Sequence, residues 1–289
     1  ILMGYYNMIY QYGDNNFINI CKKVGVDGLI VVDLPYPENK EFAKKCKKKD
    51  ISFIQLVSPT TSPSRMKKII TKKSESFLEK YLNNPSPTGF ESEGQKLWLE
   101  YMKPYVDDYI TDNYGSVAGI INPGKKYKVV IEAHADEISW FVHYITNEGF
   151  IYLRRNGGSD HQIAPSKRVN IHTDKGIVKA VFGWPAIHTR MGGGERKDPQ
   201  PSVENLFLDC GAKNKKEVEA LGIHIGAVAT YEEGYDELAY DYIIGRALDN
   251  RVGGFMIAEV ARLLKENKKK LPYALYVVNA VQEEIGLRG

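Results

Sequence analysis

Three short runs carry the residue types from which a metal centre is built. The first is Glu132-Ala133-His134-Ala135-Asp136-Glu137, at the end of the apolar stretch Val129 to Ala133. The second is Gly245-Arg246-Ala247-Leu248-Asp249-Asn250-Arg251, just before the patterned run Val252 to Leu264. The third is Val281-Gln282-Glu283-Glu284-Ile285-Gly286, after the apolar stretch Tyr273 to Ala280. An imidazole nitrogen and carboxylate oxygens suit zinc, and carboxylates also suit manganese or cobalt. A carboxylate can bridge two ions. An adjacent Glu-Glu pair can place one side chain on a metal and the other over a water. Side by side, two carboxylates repel, so the pair is a poor structural choice. Each run alone is weak, because a His-x-Asp is commonly structural and a Glu-Glu pair commonly lies on the surface. Their recurrence at three strand ends favours one shared dinuclear site.

The elements that must position these residues follow from the pattern around them. Val129 to Ala133 and Tyr273 to Ala280 read as strands, and Val252 to Leu264 as a helix opened by a loop. In an open α/β sheet, strand ends and helix starts collect at one crevice. Upstream, Ser74 to Leu82 reads as a helix with Phe77, Leu78, Tyr81 and Leu82 on one face. The loop Pro85 to Gly89 follows, with Ser86 or Thr88 available to bond its backbone. A long helix is expected from about Glu91 to Asp108. Strands follow at Gly115 to Ile121 and Tyr127 to Ala133, split by Pro123-Gly124.

The middle reads as a small inserted β domain. Short strands are expected at Ile138 to Ile145, Phe150 to Arg155, Arg168 to His172, Ile177 to Gly183 and Gly222 to Tyr231. Asn147-Glu148-Gly149 and Asp174-Lys175-Gly176 mark turns, Gly192 to Pro201 a polar loop, and Lys215 to Leu221 a short helix. His161, His188 and His224 lie here and read as ordinary loop or strand histidines.

The first seventy residues have a different rhythm. Ile1 to Tyr6 is a short apolar run, and Asp14 is available to cap a helix over Asn15 to Val24 that stops at Gly25. Gly28 to Val32 has the continuous apolar pattern of a strand buried on both faces. A helix from Glu38 to Lys49, a strand from Ile51 to Val57, a turn at Pro59 to Pro63 and a helix from Ser64 to Ile70 complete the segment. Strand and helix alternating at this spacing mean parallel β/α units. Asp33, at a strand end, reads as a capping or turn residue.

Composition narrows the class. The chain has 289 residues, 43% hydrophobic and 26% charged, as soluble globular proteins do. No apolar run reaches the ~18 residues of a membrane helix, so no membrane partner is expected. The net charge of +3 divides unevenly: residues 1–73 hold 13 basic and 6 acidic residues, the rest 26 and 30. The early lysines crowd one helix as its solvated face, without aromatic or arginine interleaving, so no nucleic-acid partner is expected. Three widely spaced cysteines point to a reducing, cytoplasmic setting.

Ala133-His134-Ala135-Asp136-Glu137-Ile138, Gly245 to Arg251, and Gln282-Glu283-Glu284-Ile285-Gly286-Leu287-Arg288-Gly289 resemble the dinuclear-metal aminopeptidases of the glutamyl aminopeptidase and TET peptidase family. Some members carry a cellulase or endoglucanase name. Pro85-Ser86-Pro87-Thr88-Gly89 also fits, and the resemblance runs over about residues 74–289. It implies a three-layer α/β/α zinc-peptidase-like domain (residues 74–142 and 238–289) with an inserted β-rich oligomerisation domain (143–237). It further implies two divalent ions, zinc first with cobalt or manganese as alternatives, peptide substrates and a homo-oligomer. His134 would bind one metal, Asp249 would bridge, and Glu284 would bind the other. Asp136 would orient the imidazole, and Glu283 would be the general base that takes the proton of the attacking water. The family draws one more carboxylate and one more histidine from sequence beyond the Glu-Glu pair. From these 289 residues alone, weak metal binding and little turnover are therefore expected.

Leu2-Met3-Gly4-Tyr5-Tyr6-Asn7, Gly25 to Pro35, and Ser58-Pro59-Thr60-Thr61 resemble the middle of the tryptophan synthase alpha chain, a (β/α) eight-fold barrel that cleaves indole-glycerol phosphate. Residues 1–73 would be a partial barrel of about three units, too few to close. No lyase activity is expected from them. No Gly/Ser tether separates the two segments. A join of two gene fragments, inactive as such, is the competing reading.

Overall fold

The computed structural model describes residues 2–34, 38–54, 71–190, 200–239 and 242–288. The chain divides into two compact units, Ile1–Thr61 and Ser62–Gly289. That division falls upstream of the expected boundary at 73. The expected turn at 59–63, the helix at 64–70 and most of the loop at 192–201 lie outside the described residues.

Unit one is a three-stranded parallel sheet in the order β1 (Leu2–Gly4), β2 (Gly28–Val31), β3 (Ser52–Ile54). Helices α1 (Tyr6–Tyr12), α2 (Asp14–Lys23) and α3 (Lys40–Lys48) connect the strands. Leu29, Val31, Ile18, Cys21, Phe42 and Cys46 form its core. α1 was not expected, and the apolar run ends as a strand at Gly4. Asp14 does not cap α2; Gly13 does, and Asp14 instead accepts from Tyr6 Oη (3.1 Å) and pairs with Lys45 (2.8 Å). Asp33 accepts the Tyr6 backbone N–H at 2.6 Å, so it does cap the turn into α1. Gly25, at φ 81°, ends the turn after α2 where a Cβ would be strained.

The described part of unit two opens on α4 (Lys72–Asn83), started by a capping box between Thr71 and Ser74. α5 (Ser92–Met102) ends earlier than expected. Pro104 lies in a 3-10 turn over Lys103–Tyr105, and an unexpected strand β4 (Asp108–Thr111) follows. Four strands form a mixed sheet, β4, β5 (Val117–Ile121), β15 (Ala274–Ala280) and β6 (Lys128–His134) in that order. β15 is antiparallel to β5 and parallel to β6. One face of the sheet carries Val117, Ala133, Leu275 and Val277. It packs against α4, α5 and α8 (Leu248–Glu266) in a single core with Phe77, Tyr81, Trp98 and Phe255. These three helices therefore lie on one face of the sheet. The unit is mixed α/β, and the second helical layer of the expected three-layer domain is not among these residues.

The segment between β6 and α8 closes on itself. Six strands make a barrel in the order β10 (Gly176–Gly183), β11 (Phe207–Asp209), β8 (Ile151–Asn156), β7 (Ser139–Ile145), β12 (Val228–Tyr231), β9 (Arg168–Thr173). Apolar residues alternate inward along each strand, as in Ile151/Leu153 and Val169/Ile171, and fill the interior. Closure leaves the barrel no open edge. The hairpin β13 (Asp236–Leu238) and β14 (Tyr242–Ile244) leads back to the sheet domain. No helix among the described residues is long and apolar enough to cross a membrane.

Trp140 and Phe182 meet edge to face at the barrel centre, 5.3 Å apart. Phe182→Ala should cost about 3–5 kcal/mol of stability by opening a cavity there. Urea denaturation followed by tryptophan fluorescence measures it.

Candidate metal centre

β6 delivers His134 at its last residue, nearly buried at 7% exposure. Its Nδ1 lies 3.2 Å from the Asp136 carbonyl oxygen and 3.3 Å from Asp136 Oδ1. Both oxygens only accept, so Nδ1 carries the hydrogen and Nε2 is the nitrogen left for a cation. Nε2 faces Asp249 Oδ1 at 3.4 Å and Glu283 Oε2 at 3.7 Å.

Asp136 is fully buried yet well supplied with donors. Its Oδ2 accepts from Thr88 Oγ1 (2.8 Å) and from the Glu284 N–H (3.1 Å), and its Oδ1 from the Glu283 N–H (3.1 Å). Burial alone would raise its pKa, but the bonds from His134, Thr88 and the two backbone amides outweigh it, and the carboxyl is held below its usual range. Both Asp136 oxygens are thus engaged, with Oδ1 also 3.3 Å from His134 Nδ1. Thr88 therefore serves Asp136 rather than its own loop.

Glu283 and Glu284 lie on a 3-10 turn, Glu283–Ile285, entered through Gln282 in the left-handed region (φ 58°). That turn puts both carboxylates beside His134. Donor atoms of His134, Glu283 and Glu284 lie within 4.8 Å of one another. Asp249 is outside this trio. It sits in the non-helical entry to α8 with its side chain 91% exposed, touching the group only through His134. A cavity of about 420 Å³ opens beside them, lined by Glu132, Ala133, His134, Asn250, Ala280, Glu283 and Leu287.

The electrostatics show what the group would take. Burial pulls the His134 pKa down, but Asp136, Glu283 and Asp249 outweigh it and raise it to about 9. Burial, with Asp136, Glu283 and Asp249 nearby, also pushes the Glu284 carboxyl up against the pull of His134. An excess of negative charge around one imidazole fits a divalent cation, and an N/O donor set suits zinc, cobalt or manganese.

Several supporting residues were not foreseen. Glu91, buried, accepts the N–H groups of Gly89 (2.9 Å) and Gln282 (3.2 Å), and so pins the loop before Glu283. Asn156 donates to the Thr88 carbonyl (3.0 Å) and to Ser139 Oγ (2.8 Å) from the end of a barrel strand. Next to it Gly157, at φ 75°, approaches so closely that a Cβ would lie 3.1 Å from Glu284 Cβ. The only signal in the sequence was the Pro85-to-Gly89 loop; the other contacts join distant elements. Among the other histidines, His161 contacts Arg155 and His224 contacts the Ile225 carbonyl, and neither belongs to the trio.

The model of the M42 glutamyl aminopeptidases matches residues 115–289, more than half of the chain. The chain belongs to the M42 glutamyl aminopeptidase family. FrvX of Escherichia coli (strain K12), a relative that bears an aminopeptidase name, is 34% identical over 216 residues, 74% of this chain and 58% of that protein. The TET aminopeptidase from the marine sediment archaeon Thaumarchaeota archaeon SCGC AB-539-E09 gives a TM-score of 0.71 at 28% identity, over 75% of this chain and 60% of that one. The TET1 peptidase of Pyrococcus horikoshii, which can assemble into a tetrahedron or a large octahedral shell, gives 0.64 at 27% identity over 74% and 62%. The chain thus spans less than two thirds of the length of each of these relatives. The model of the tryptophan synthase alpha chain matches residues 1–94, through α4 and past the expected boundary at 73. Over 89 residues the chain is 81% identical to the tryptophan synthase alpha chain of Pelagibacter ubique (strain HTCC1062), 31% of this chain and 33% of that protein.

Asp136→Asn should weaken zinc binding by about 10–100-fold, as loss of an orienting carboxylate does elsewhere. Thr88→Val should act in the same direction with a smaller effect. Competition against a chromophoric chelator measures both.

Proposed function

We propose that residues 74–289 supply most of the catalytic domain of a metal-dependent aminopeptidase that removes N-terminal residues from peptides. The observation that carries this reading is the buried Asp136, which takes Nδ1 of His134 and leaves Nε2 aimed at Asp249 and Glu283. In this reading His134 would hold one of two divalent ions, zinc by preference, Glu284 would hold the other, and Asp249 would be the ligand common to both. When bound, the ions would polarise the scissile carbonyl and acidify the attacking water. Glu283 is the general base: it takes the water proton and returns it to the leaving amine. Asp136 fixes the imidazole throughout. The α/β sheet is one part of a three-layer domain, and residues 1–73 are a partial (β/α) barrel. The barrel, whose strands run from residue 139, upstream of the expected start at 143, to residue 231, is an oligomerisation module, a reading supported by the shells that the TET1 relative forms. The cysteines among the described residues are free, which agrees with a cytoplasmic home.

Zinc titration with aminoacyl-anilide hydrolysis tests the reading. Turnover, whatever its absolute rate, should vanish with a chelator. Glu283→Gln should lower kcat by about 10²–10⁴ while zinc remains bound. A chain that binds no zinc would overturn it. A second reading, a join of two gene fragments, is favoured by two unrelated family matches in one chain. Sequencing the genomic locus across residues 61–94 decides it: a continuous reading frame there sets that reading aside.

A further inference from the structure

Glu137 follows Asp136 directly but turns away from the carboxylate cluster. Its side chain is 2% exposed. There Oε2 accepts from Arg246 Nε at 2.8 Å, and Oε1 accepts from the Ser86 N–H at 2.8 Å. Arg251 Nη1 lies 3.7 Å from Oε1, and the Arg251 guanidinium, itself fully buried, stacks 4.3 Å over the Tyr81 ring. Arg246 and Arg251 stand three residues before and two residues after Asp249. The same two arginines reach other segments: Arg246 donates to the carbonyls of Glu233 (3.1 Å) and Asn83 (3.4 Å), and Arg251 to that of Asn84. The backbone of Glu137 is tied as well, giving its N–H to Ser86 O (3.0 Å) and accepting from Thr88 N (3.2 Å).

One buried carboxylate thus lies between two buried guanidinium groups that bracket Asp249. Asp249 has little else to place it: its side chain is exposed and its backbone is outside the helical range. We propose that Glu137, with Arg246 and Arg251, is the clamp that sets where Asp249 stands relative to His134. It holds the loop 245–251 against the strand end that carries His134 and Asp136. Glu137 is a positioning residue in this scheme: it touches neither metal nor substrate. The inference rests on the metal-centre reading for its consequence, but the clamp itself rests on the buried contacts. Removing one partner of a buried ion pair leaves the other charge uncompensated. Here that leaves two arginines without an anion on either side of Asp249. Arg246→Lys keeps the charge but loses the fork that reaches Glu137, Glu233 and Asn83 together.

The experiment compares the unaltered chain with Glu137→Gln, Arg246→Lys and the double variant, and uses Phe182→Ala in the barrel core, which makes none of the clamp's contacts, as a destabilised control. Three quantities are read: zinc affinity, the visible spectrum of the cobalt-loaded protein, and hydrogen exchange over residues 245–252. Each single variant should weaken zinc binding at least tenfold, shift the cobalt bands and speed exchange in that segment. The double variant should do little more than either single one. Phe182→Ala should change none of the three beyond its global stability. Variants that lose stability like the control yet keep zinc affinity, cobalt bands and local exchange would overturn the clamp. If Glu137→Gln fails to fold, Arg246→Lys carries the test. If the unaltered chain binds no metal, the metal-centre reading falls, and exchange over 245–252 still decides for or against the clamp.

Discussion

The buried carboxylate of Asp136 organises the site. A carboxylate taken fully out of water is tolerated only when charge-assisted hydrogen bonds replace its solvation. Here the replacements are four donors from three places in the sequence: His134 beside it, Thr88 in the loop after α4, and the amides of Glu283 and Glu284 after β15. Each donor is held by the carboxylate as much as it holds it. The imidazole tautomer, the approach of the two glutamates and the seat of the 85–89 loop are therefore one arrangement. Disturbing any of them leaves a buried charge short of partners.

Beneath that anion the sheet and helices are locked by a polar seam. Asn279 donates to Tyr81 Oη and Gln95 Oε1, and Gln95 returns a bond to the Asn279 carbonyl. Trp98 gives its indole N–H to the carbonyl of Gly254. These bonds join α4, α5, α8 and β15 one residue below the strand end that leads to Glu283. On the other side the barrel contributes Asn156 and Gly157 to the walls of the site. The inserted domain is thus fastened to the carboxylates it borders.

Regular elements with strong periodicity were readable in the sequence. Phe77, Leu78, Tyr81 and Leu82 are the buried face of α4, and the strands ending at His134 and Ala280 lie where their apolar runs placed them. The first and third motifs come together at His134, while the second approaches them through Asp249, 3.4 Å from His134 Nε2. Long-range polar pairing was not readable. Nothing local marks Glu137 as the partner of Arg246, or Thr88 as the donor to Asp136, since each pair is separated by dozens of residues and settled only by packing. Local competition also misled: Pro104 ended a helix expected to run to 108, and Gly13 took the capping place assigned to Asp14. The exposed stance of Asp249 is a tertiary outcome that spacing alone did not convey.

The strand order of the sheet has a consequence for how the chain is made. β15 sits between β5 and β6, yet it is the last of the four strands to be synthesised. Until residue 280 has left the ribosome, β5 and β6 have no common neighbour, and the strand carrying His134 lacks the partner against which it is registered. The barrel lies wholly within the intervening sequence and needs no later residue to close. Its contacts are shorter in sequence than the β5–β15 pairing, and shorter-range contacts form first. A nascent chain would therefore present a finished barrel hanging from an open, apolar-edged sheet. The interval before β15 arrives is the period of greatest exposure to misassociation.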